Sequence, residues 1–295
     1  MLRQLRKHQV LSVHQLMDML DCSHMTILRD IALLEQEGRA YSVTGGVRIA
    51  SQLHSEPRHQ LKAVVELPQK QAMAKLAAGL LHADMTIYLD AGTSTLEIVP
   101  YIKALSGMTV VTNDFGIVQA LIEAPHVTVI HTGGQLDHSN QSCVGSLAVA
   151  TLRQIVTDIA FISSSSWDLR RGLTTPSALK VEVEVKQAAM QSTSQVVLVA
   201  SSSKYGTFSL YRIAGLEQFD IILSDDALTP AAADGIRKQG LEEDLLATLF
   251  TQPGQRGEGL FDRSGVRWRQ SWGAPQTESG VSYRLGRSSI NDQIM

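Results

Sequence analysis

Thr86-Ile87-Tyr88-Leu89-Asp90-Ala91-Gly92-Thr93-Ser94-Thr95 is the stretch whose reading decides the fold. A short apolar run ends in an acid, a glycine and three hydroxyls, and helical text follows in Leu96-Glu97-Ile98-Val99. A strand that breaks into small residues and then opens a helix makes an anion site. Gly92 lets the backbone approach a ligand closely. Free N–H groups at the helix start, with the positive end of its dipole, favour phosphate or carboxylate. The hydroxyls of Thr93, Ser94 and Thr95 can add donors. The competing reading is an ordinary strand-to-helix turn with Ser or Thr as N-cap.

The same alternation repeats downstream. Strand-like runs at 109–112, 127–130, 159–163, 195–200 and 219–224 are separated by helical text at 115–122, 146–155, 181–190 and 230–238. A helical pattern at 61–81, with Met73, Leu76, Ala77 and Leu80-Leu81 as its apolar face, precedes the opening stretch. This order predicts an α/β fold, a mainly parallel sheet covered by helices. Ligands in open sheets of that kind bind beyond the carboxyl ends of the strands. Five loops meet the condition, at 90–95, 112–113, 132–134, 163–166 and 201–204. Together they predict one polar, anion-accepting crevice suited to a phosphorylated sugar. Its effector-binding candidates are Asp90, Gly92, Thr93, Ser94, Thr95, Thr112, Asn113, Gly133, Gly134 and Lys204, with Lys204 as the cation. Each loop taken singly is turn chemistry; five at strand ends favour a site. Trp167 reads as a half-buried loop anchor, with stacking on a sugar face as the alternative.

The first fifty residues are of another kind. Ser12 to Leu20 reads as a capped helix with Leu16, Met17 and Leu20 inward. Asp21-Cys22-Ser23 is a short turn, and Ser23 caps a third helix, 24–37, with Ile27, Ile31 and Leu34 on one face before Gly38 ends it. That is a helix-turn-helix pattern, whose second helix enters the major groove and presents its N-terminal residues to base edges. Ser23, His24, Met25, Thr26 and Arg29, with Arg39 just beyond the helix, are the DNA-binding candidates, and Leu28 lies among them. Two β-like runs, Ala40-Tyr41-Ser42-Val43 and Val47-Arg48-Ile49, flank Thr44-Gly45-Gly46 and predict a small wing. The competing reading is a three-helix bundle used only for packing or dimerisation. Residues 1–50 hold six Lys or Arg against five Asp or Glu, so the electrostatic footprint is weak.

These motifs resemble the DeoR family of bacterial regulators. Ser23-His24-Met25-Thr26-Ile27-Leu28-Arg29-Asp30-Ile31, Leu34-Glu35-Gln36-Glu37-Gly38 and Thr44-Gly45-Gly46-Val47 are similar to its S-x-x-T-I-R-R-D-L, L-E-x-x-G and H-G-G-A. Leu28 stands where the family has its first Arg, Thr44 replaces the wing His, and the text starts inside the family's first helix. Further along, Asp90 to Thr95 resembles D-x-G-T-T, Asp158-Ile159-Ala160-Phe161 resembles D-x-A-F, Gly172-Leu173-Thr174 resembles G-L-T, and Glu184-Val185-Lys186 resembles E-x-K. Thr112-Asn113, Gly133-Gly134 and Gly145 match further marks. Ser202-Ser203-Lys204-Tyr205-Gly206 is similar to D-S-S-K-F-G, with Ser201 in place of the Asp, and family glycines stand here as Ser163 and Ser166. The resemblance implies a winged helix-turn-helix head followed by a Rossmann-like sensor domain related to phosphosugar isomerases, which binds its effector without turning it over. It also implies a homo-oligomeric repressor, dimer or tetramer, released from double-stranded operator DNA by a sugar phosphate.

Composition bounds the rest. Apolar residues are 44% and charged residues 19%, with a formal net charge of −3, so no global basic field announces nucleic acid. Cys22 and Cys143 make neither a disulfide framework nor a zinc cluster, and no metal or other cofactor is expected. No apolar run is long enough to span a bilayer and no signal core follows the basic start, so the expected location is the cytoplasm. Asp90, Asp158, Asp168, Glu182, Glu184 and Lys204 could serve acid–base chemistry. The acid missing at Ser201 and the DNA-binding head argue for sensing, with no catalytic residue assigned. A phosphosugar isomerase-like enzyme with a vestigial head is the alternative. From about Ala247 the text turns poor in aliphatics and rich in Gly, Ser, Arg and Gln, which reads as a disordered or non-native tail. The rival for that stretch, with Trp268 and Trp272 between arginines, is single-stranded nucleic acid binding. The expected division is a DNA-binding head at 1–50, a linker at 51–60, a sugar-phosphate sensor at 61–246 and the tail at 247–295.

Overall fold

The structure, a computed structural model, describes residues 1–55, 59–176, 180–237 and 246–248. Local capping sets its first elements. Helix α1 (Leu2–His8) leads into a short strand β1 (Val10–Leu11). Ser12 then starts α2 (Val13–Leu20) with a full capping box: its Oγ accepts the Gln15 N–H at 3.1 Å, and Gln15 Oε1 accepts the Ser12 N–H at 2.9 Å. Ser23 caps α3 (His24–Gln36), and the wing follows as an antiparallel pair, β2 (Ala40–Val43) and β3 (Gly46–Ile49). Strand β1 pairs with the other edge of β3. Two residues carry no period, and that third strand is not legible from sequence. Leu5, Leu11, Leu16, Ile27, Ile31, Leu34, Ala40 and Val47 form a core of their own.

The stretch read as a linker is structured in part. Ser51–Gln52 forms strand β4, parallel to Thr207–Phe208, and the Leu53 N–H donates to the Phe208 carbonyl at 2.7 Å. The helix expected at 61–81 is two helices, α4 (His59–Val64) and α5 (Leu67–Ala78), divided at Glu66, which is left-handed at φ 56°. The cause is Pro68. It has no N–H and is tolerated only in a first turn, so the helix must restart just before it.

The remaining chain winds the sheet. In order come β5 (Thr86–Leu89), α6 (Thr93–Leu96), α7 (Val99–Ile102), β6 (Thr109–Thr112), α8 (Phe115–Leu121) and β7 (Thr128–His131). A hairpin, β8 (Gln135–Asp137) and β9 (Ser142–Val144), precedes α9 (Ser146–Leu152) and the long strand β10 (Thr157–Ser163). Then follow β11 (Ser166–Asp168), β12 (Gly172–Thr175), α10 (Lys180–Gln191), β13 (Thr193–Val199), β14 (Thr207–Phe208), β15 (Tyr211–Ala214), β16 (Ile221–Ser224), α11 (Pro230–Arg237) and β17 (Leu246–Thr248). The main sheet has the order β17-β16-β13-β10-β5-β6-β7, and every neighbouring pair in it is parallel. The parallel α/β expectation is met. A separate antiparallel sheet, β11-β12-β15, and the β8-β9 hairpin are additions that the alternation did not announce. Strand β17 takes in the first two residues of the expected tail; 249–295 lie outside the described residues. Ile87, Leu89, Val110, Phe161, Val197 and Leu223, all buried, represent the strand contribution to the large core.

Candidate functional site

The strand order places the crevice between β5 and β10. From β5 the chain moves outward through β6 to β7, then returns to β10 on the other side of β5. The order reverses between β5 and β10, and ligands in such sheets bind at that reversal. Of the five loops named from sequence, two leave these strands. Ala91, Gly92, Thr93 and Ser94 after β5, and Ser163, Ser164 and Ser165 after β10, line one cleft that opens to solvent. Lys204, Lys62, Asn140 and Glu182 complete its walls.

Asp90 lies beneath this cleft. It is buried, and its Oδ2 accepts the Ser163 N–H at 2.9 Å, the Ser163 hydroxyl at 2.6 Å and the Lys186 ammonium. A carboxylate so enclosed is held by charge and hydrogen bonds, which is the condition for burying an ion. Asp90 therefore orients the two loops and is not itself a wall of the cleft. Ser163, where the family resemblance has glycine, uses its hydroxyl on Asp90. Its Cβ also fixes the neighbour: a Cβ built on Gly92 would stand 2.9 Å from Ser163 Cβ. Gly92 is required here for close packing, and its backbone is extended, with φ 161°.

Other candidates also serve the loop from below. The Thr95 hydroxyl is buried and lies 2.7 Å from the Asp90 carbonyl and 2.8 Å from the Gly92 carbonyl, so its one proton points into the protein. Thr112 donates to the Leu89 carbonyl at 2.7 Å. Asn113 Oδ1 accepts from the Tyr88 hydroxyl at 3.0 Å and from the Ala91 N–H at 3.1 Å, and its Nδ2 donates to the Cys143 carbonyl. Gly133 and Gly134 follow β7, two strands from the reversal, and do not line the cleft. Thr93, Ser94, Gly92 and Lys204 are the candidates that reach the cleft.

Sequence reasoning missed Lys62, Asn140 and Lys186 as site residues, and named Glu182 only among groups available for acid–base chemistry. Lys62 Nζ donates to Asn140 Oδ1 at 2.9 Å, joining α4 to the loop between β8 and β9. Glu182 Oε2 accepts from the Thr175 hydroxyl at 3.2 Å. The E-x-K match was the one signal for Lys186; nothing local marks Lys62.

Asp114 is the cleft's buried ionisable support. It caps α8 through Oδ1, 2.9 Å from the Ile117 N–H, while Oδ2 accepts the Gly92 N–H at 3.2 Å. Burial pushes its carboxyl up to about 6, against the lowering effect of the amide bonds from Ile117, Gly116 and Gly92. His59 Nε2 lies 4.0 Å away, and burial with the Lys62 and Lys70 charges lowers that imidazole's pKa.

On the head, Ile27, Ile31 and Leu34 of α3 face inward, while His24, Met25, Thr26, Leu28 and Arg29 are exposed together. The Ser23 hydroxyl accepts the Thr26 N–H at 3.3 Å and lies 2.9 Å from Thr26 Oγ1, so both serve the cap as well as the surface. Arg39 is exposed and pairs with Glu37 at 3.1 Å. The wing leans on the body of the protein. Tyr41 of β2 is fully buried against Tyr205, with ring centroids 5.1 Å apart. Arg48 of β3 donates to the Tyr205 carbonyl and, at 3.3 Å, to the Ser203 carbonyl. Arg170 donates to the Glu37 carbonyl at 2.7 Å, and the Thr44 hydroxyl to the Ala227 carbonyl at 3.2 Å. Trp167 is the anchor of this seam: it is wholly buried, its Nε1 donates to the Ser201 carbonyl at 3.0 Å, and Tyr205 meets it edge-on.

Known protein families match both parts of the chain. Residues 1–53 match the DeoR-like helix-turn-helix domain, and residues 66–226 match the DeoR C terminal sensor domain. The chain is 43% identical over 232 residues to the uncharacterized HTH-type transcriptional regulator YgbI of Escherichia coli strain K12, covering 79% of this chain and 90% of that protein. It is 41% identical over 242 residues to an uncharacterized HTH-type transcriptional regulator of Haemophilus influenzae, covering 82% and 93%. The transcriptional repressor AccR of Agrobacterium fabrum is 29% identical over 221 residues, covering 75% and 85%. No helix among the described residues is long and apolar enough to cross a membrane.

Proposed function

Because the chain belongs to the DeoR family of helix-turn-helix transcriptional regulators, we propose that it represses a carbohydrate-utilisation operon and is released from its operator by a phosphorylated sugar or sugar acid. The observation that carries the reading is the cleft at the strand reversal, where the helix start at Thr93 and Ser94 meets Lys204 and Lys62. Backbone donors and two ammonium groups are the chemistry that receives an anion. Glu182 on the same wall suits the hydroxyls of a polyol, which donate to a carboxylate.

In this reading residues 1–50 are the DNA-binding head, 61–246 the effector sensor and 51–60 their connection. The head reads double-stranded operator DNA through the exposed start of α3, and a homo-oligomer, dimer or tetramer, matches a repeated operator. The protein works in the cytoplasm and binds its effector without chemistry. That Asp90 is enclosed by Lys186 and Ser163 supports a binding role for the loop over a proton-transfer role.

Titration of operator release with ribose 5-phosphate, other sugar phosphates and the matching unphosphorylated sugars tests the proposal. Release at a concentration at which the unphosphorylated sugar is inert is the expected result. Equal release by both would remove the phosphate from the reading, and isomerised product after incubation would favour the enzyme instead.

A further inference from the structure

Residues 202–206 touch the cleft and the head at once. Lys204 lines the cleft, and its ammonium donates to the carbonyl of Ser164 in the loop after β10. The next residue holds the wing. The Tyr205 carbonyl accepts from Arg48, and the Tyr205 ring packs edge-on against Tyr41. Ser203, one residue the other way, offers its carbonyl to the same guanidinium.

The segment has little room to absorb a displacement. Ser202 donates to Asp225 twice, from its N–H at 2.8 Å and its hydroxyl at 2.6 Å. Ser202–Lys204 is a tight 3-10 turn, and the Gly206 N–H donates to the Trp167 carbonyl at 2.9 Å. Asp225 also accepts the Ala227 N–H at 3.1 Å, and the Ala227 carbonyl receives the Thr44 hydroxyl at the wing tip. The turn is therefore tied to the wing directly, through Arg48 and Tyr41, and indirectly, through Asp225 and Ala227 to Thr44. An ammonium bonds more strongly to an anion than to a neutral carbonyl, so an anionic ligand competes with Ser164 for Lys204.

We propose that residues 202–206 are the coupling element of the regulator: an anion in the cleft draws Lys204 from the Ser164 carbonyl, and the shift at Tyr205 loosens the hold on Arg48 and Tyr41. The ligand half of this rests on the cleft being the effector site. The mechanical half, that Lys204 and Arg48 act on DNA binding through one segment, stands apart from any ligand. Coupling of this kind requires that the ligand interact differently with the two arrangements of the segment, and competition at Lys204 supplies the difference.

A ligand-free cycle tests it. Operator duplex recovered by selection from randomised DNA is titrated with the full-length parent, Lys204→Met, Arg48→Met and the double variant, at one fixed salt concentration. Each single change is expected to shift operator Kd by about fivefold or more, the lower end of typical couplings between sites. The double variant is expected to match Arg48→Met alone, because without Arg48 the segment has lost its main grip on the wing. Shifts that simply multiply, or an unchanged Kd in Lys204→Met, overturn the proposal. Thermal melts establish that each variant folds, and Lys204→Gln replaces Lys204→Met if the latter does not. Titration of the parent complex with ribose 5-phosphate is read separately: no release there removes that effector class and leaves the outcome of the cycle intact.

Discussion

Gly206 lies flat against the ring of Tyr41: a Cβ built on Gly206 would stand 2.7 Å from the ring's Cγ. Gly206 also holds φ +74°, a conformation that side chains disfavour. The contact joins the loop after β13 to wing strand β2, so the wing can seat only where no side chain intervenes. Gly206→Ala is expected to destabilise the protein by about 1–3 kcal/mol, the usual range for overpacking combined with backbone strain. Urea unfolding of parent and variant measures it. A loss below about 0.5 kcal/mol, the scale of ordinary surface changes, would mean the seam is loose.

Arg29 is exposed on the same face of α3 as Met25 and Leu28. Arg29→Ala is expected to weaken operator binding by about 1–3 kcal/mol if the guanidinium reads guanine, with specificity relaxed at one base pair. Leu28→Arg should tighten binding and steepen its salt dependence, since each new phosphate contact adds to the salt slope. Anisotropy titrations at several salt concentrations separate the two. No gain from Leu28→Arg at low salt would show that this position does not face the phosphates.

Gly92 and Ser163 are a matched pair. Gly92→Ala brings a Cβ to 2.9 Å from Ser163 Cβ and is expected to destabilise the fold by overpacking, on the order of 1–3 kcal/mol. Adding Ser163→Gly removes the obstacle. Ser163→Gly alone loses the hydroxyl bond to Asp90, so the double variant should be more stable than the sum of the two single losses predicts. Strict additivity in denaturant unfolding would sink the pairing.

The strand-and-helix alternation was legible because each element carries its own period or cap, as Ser12 and Ser23 do. Which loops would meet was not legible. Strand order is fixed by pairings between distant segments, such as β10 with β5, and only that order separates the loop at 90–95 from Gly133 and Gly134. Thr95, Thr112 and Asn113 looked like ligand donors because composition cannot say which way a hydroxyl or amide points; all three turn inward to hold the loop. Lys62 could not be found locally, since it arrives from α4 across a helix break that Pro68 creates.

Asp114 predicts a pH dependence whose sign is fixed. Its folded carboxyl is raised to about 6 from an ordinary 3.8. The folded protein then binds this proton more tightly than the unfolded chain. The contribution is favourable at low pH and is lost as pH rises through about 6. Between pH 7 and pH 5 the parent should gain about 1 kcal/mol of stability relative to Asp114→Asn. Unfolding of both proteins at the two pH values checks it. A constant difference would place the carboxyl back in the usual carboxylate range.

Lys186 and Asp90 form a buried ion pair under the cleft. Lys186→Met leaves that carboxylate buried and unpaired, and a loss of about 3–5 kcal/mol is expected. Asp90→Asn in the same chain removes the stranded charge and should restore part of the loss. Thermal unfolding of the three variants compares them. A double variant no more stable than Lys186→Met would mean that the ammonium acts by packing alone.

Tyr41 has one further consequence, for anyone who would exchange heads between members of this family. The residue belongs to the wing by sequence and to the sensor's core by packing. A graft cut at residue 50 would bring a foreign side chain into a socket shaped by Tyr205 and the bare face of Gly206. The interchangeable unit is therefore discontinuous: residues 1–53 together with the turn at 202–208. Chimeras that transfer both pieces should fold and switch, and those that carry the head alone should read DNA, if they fold, without answering to the ligand.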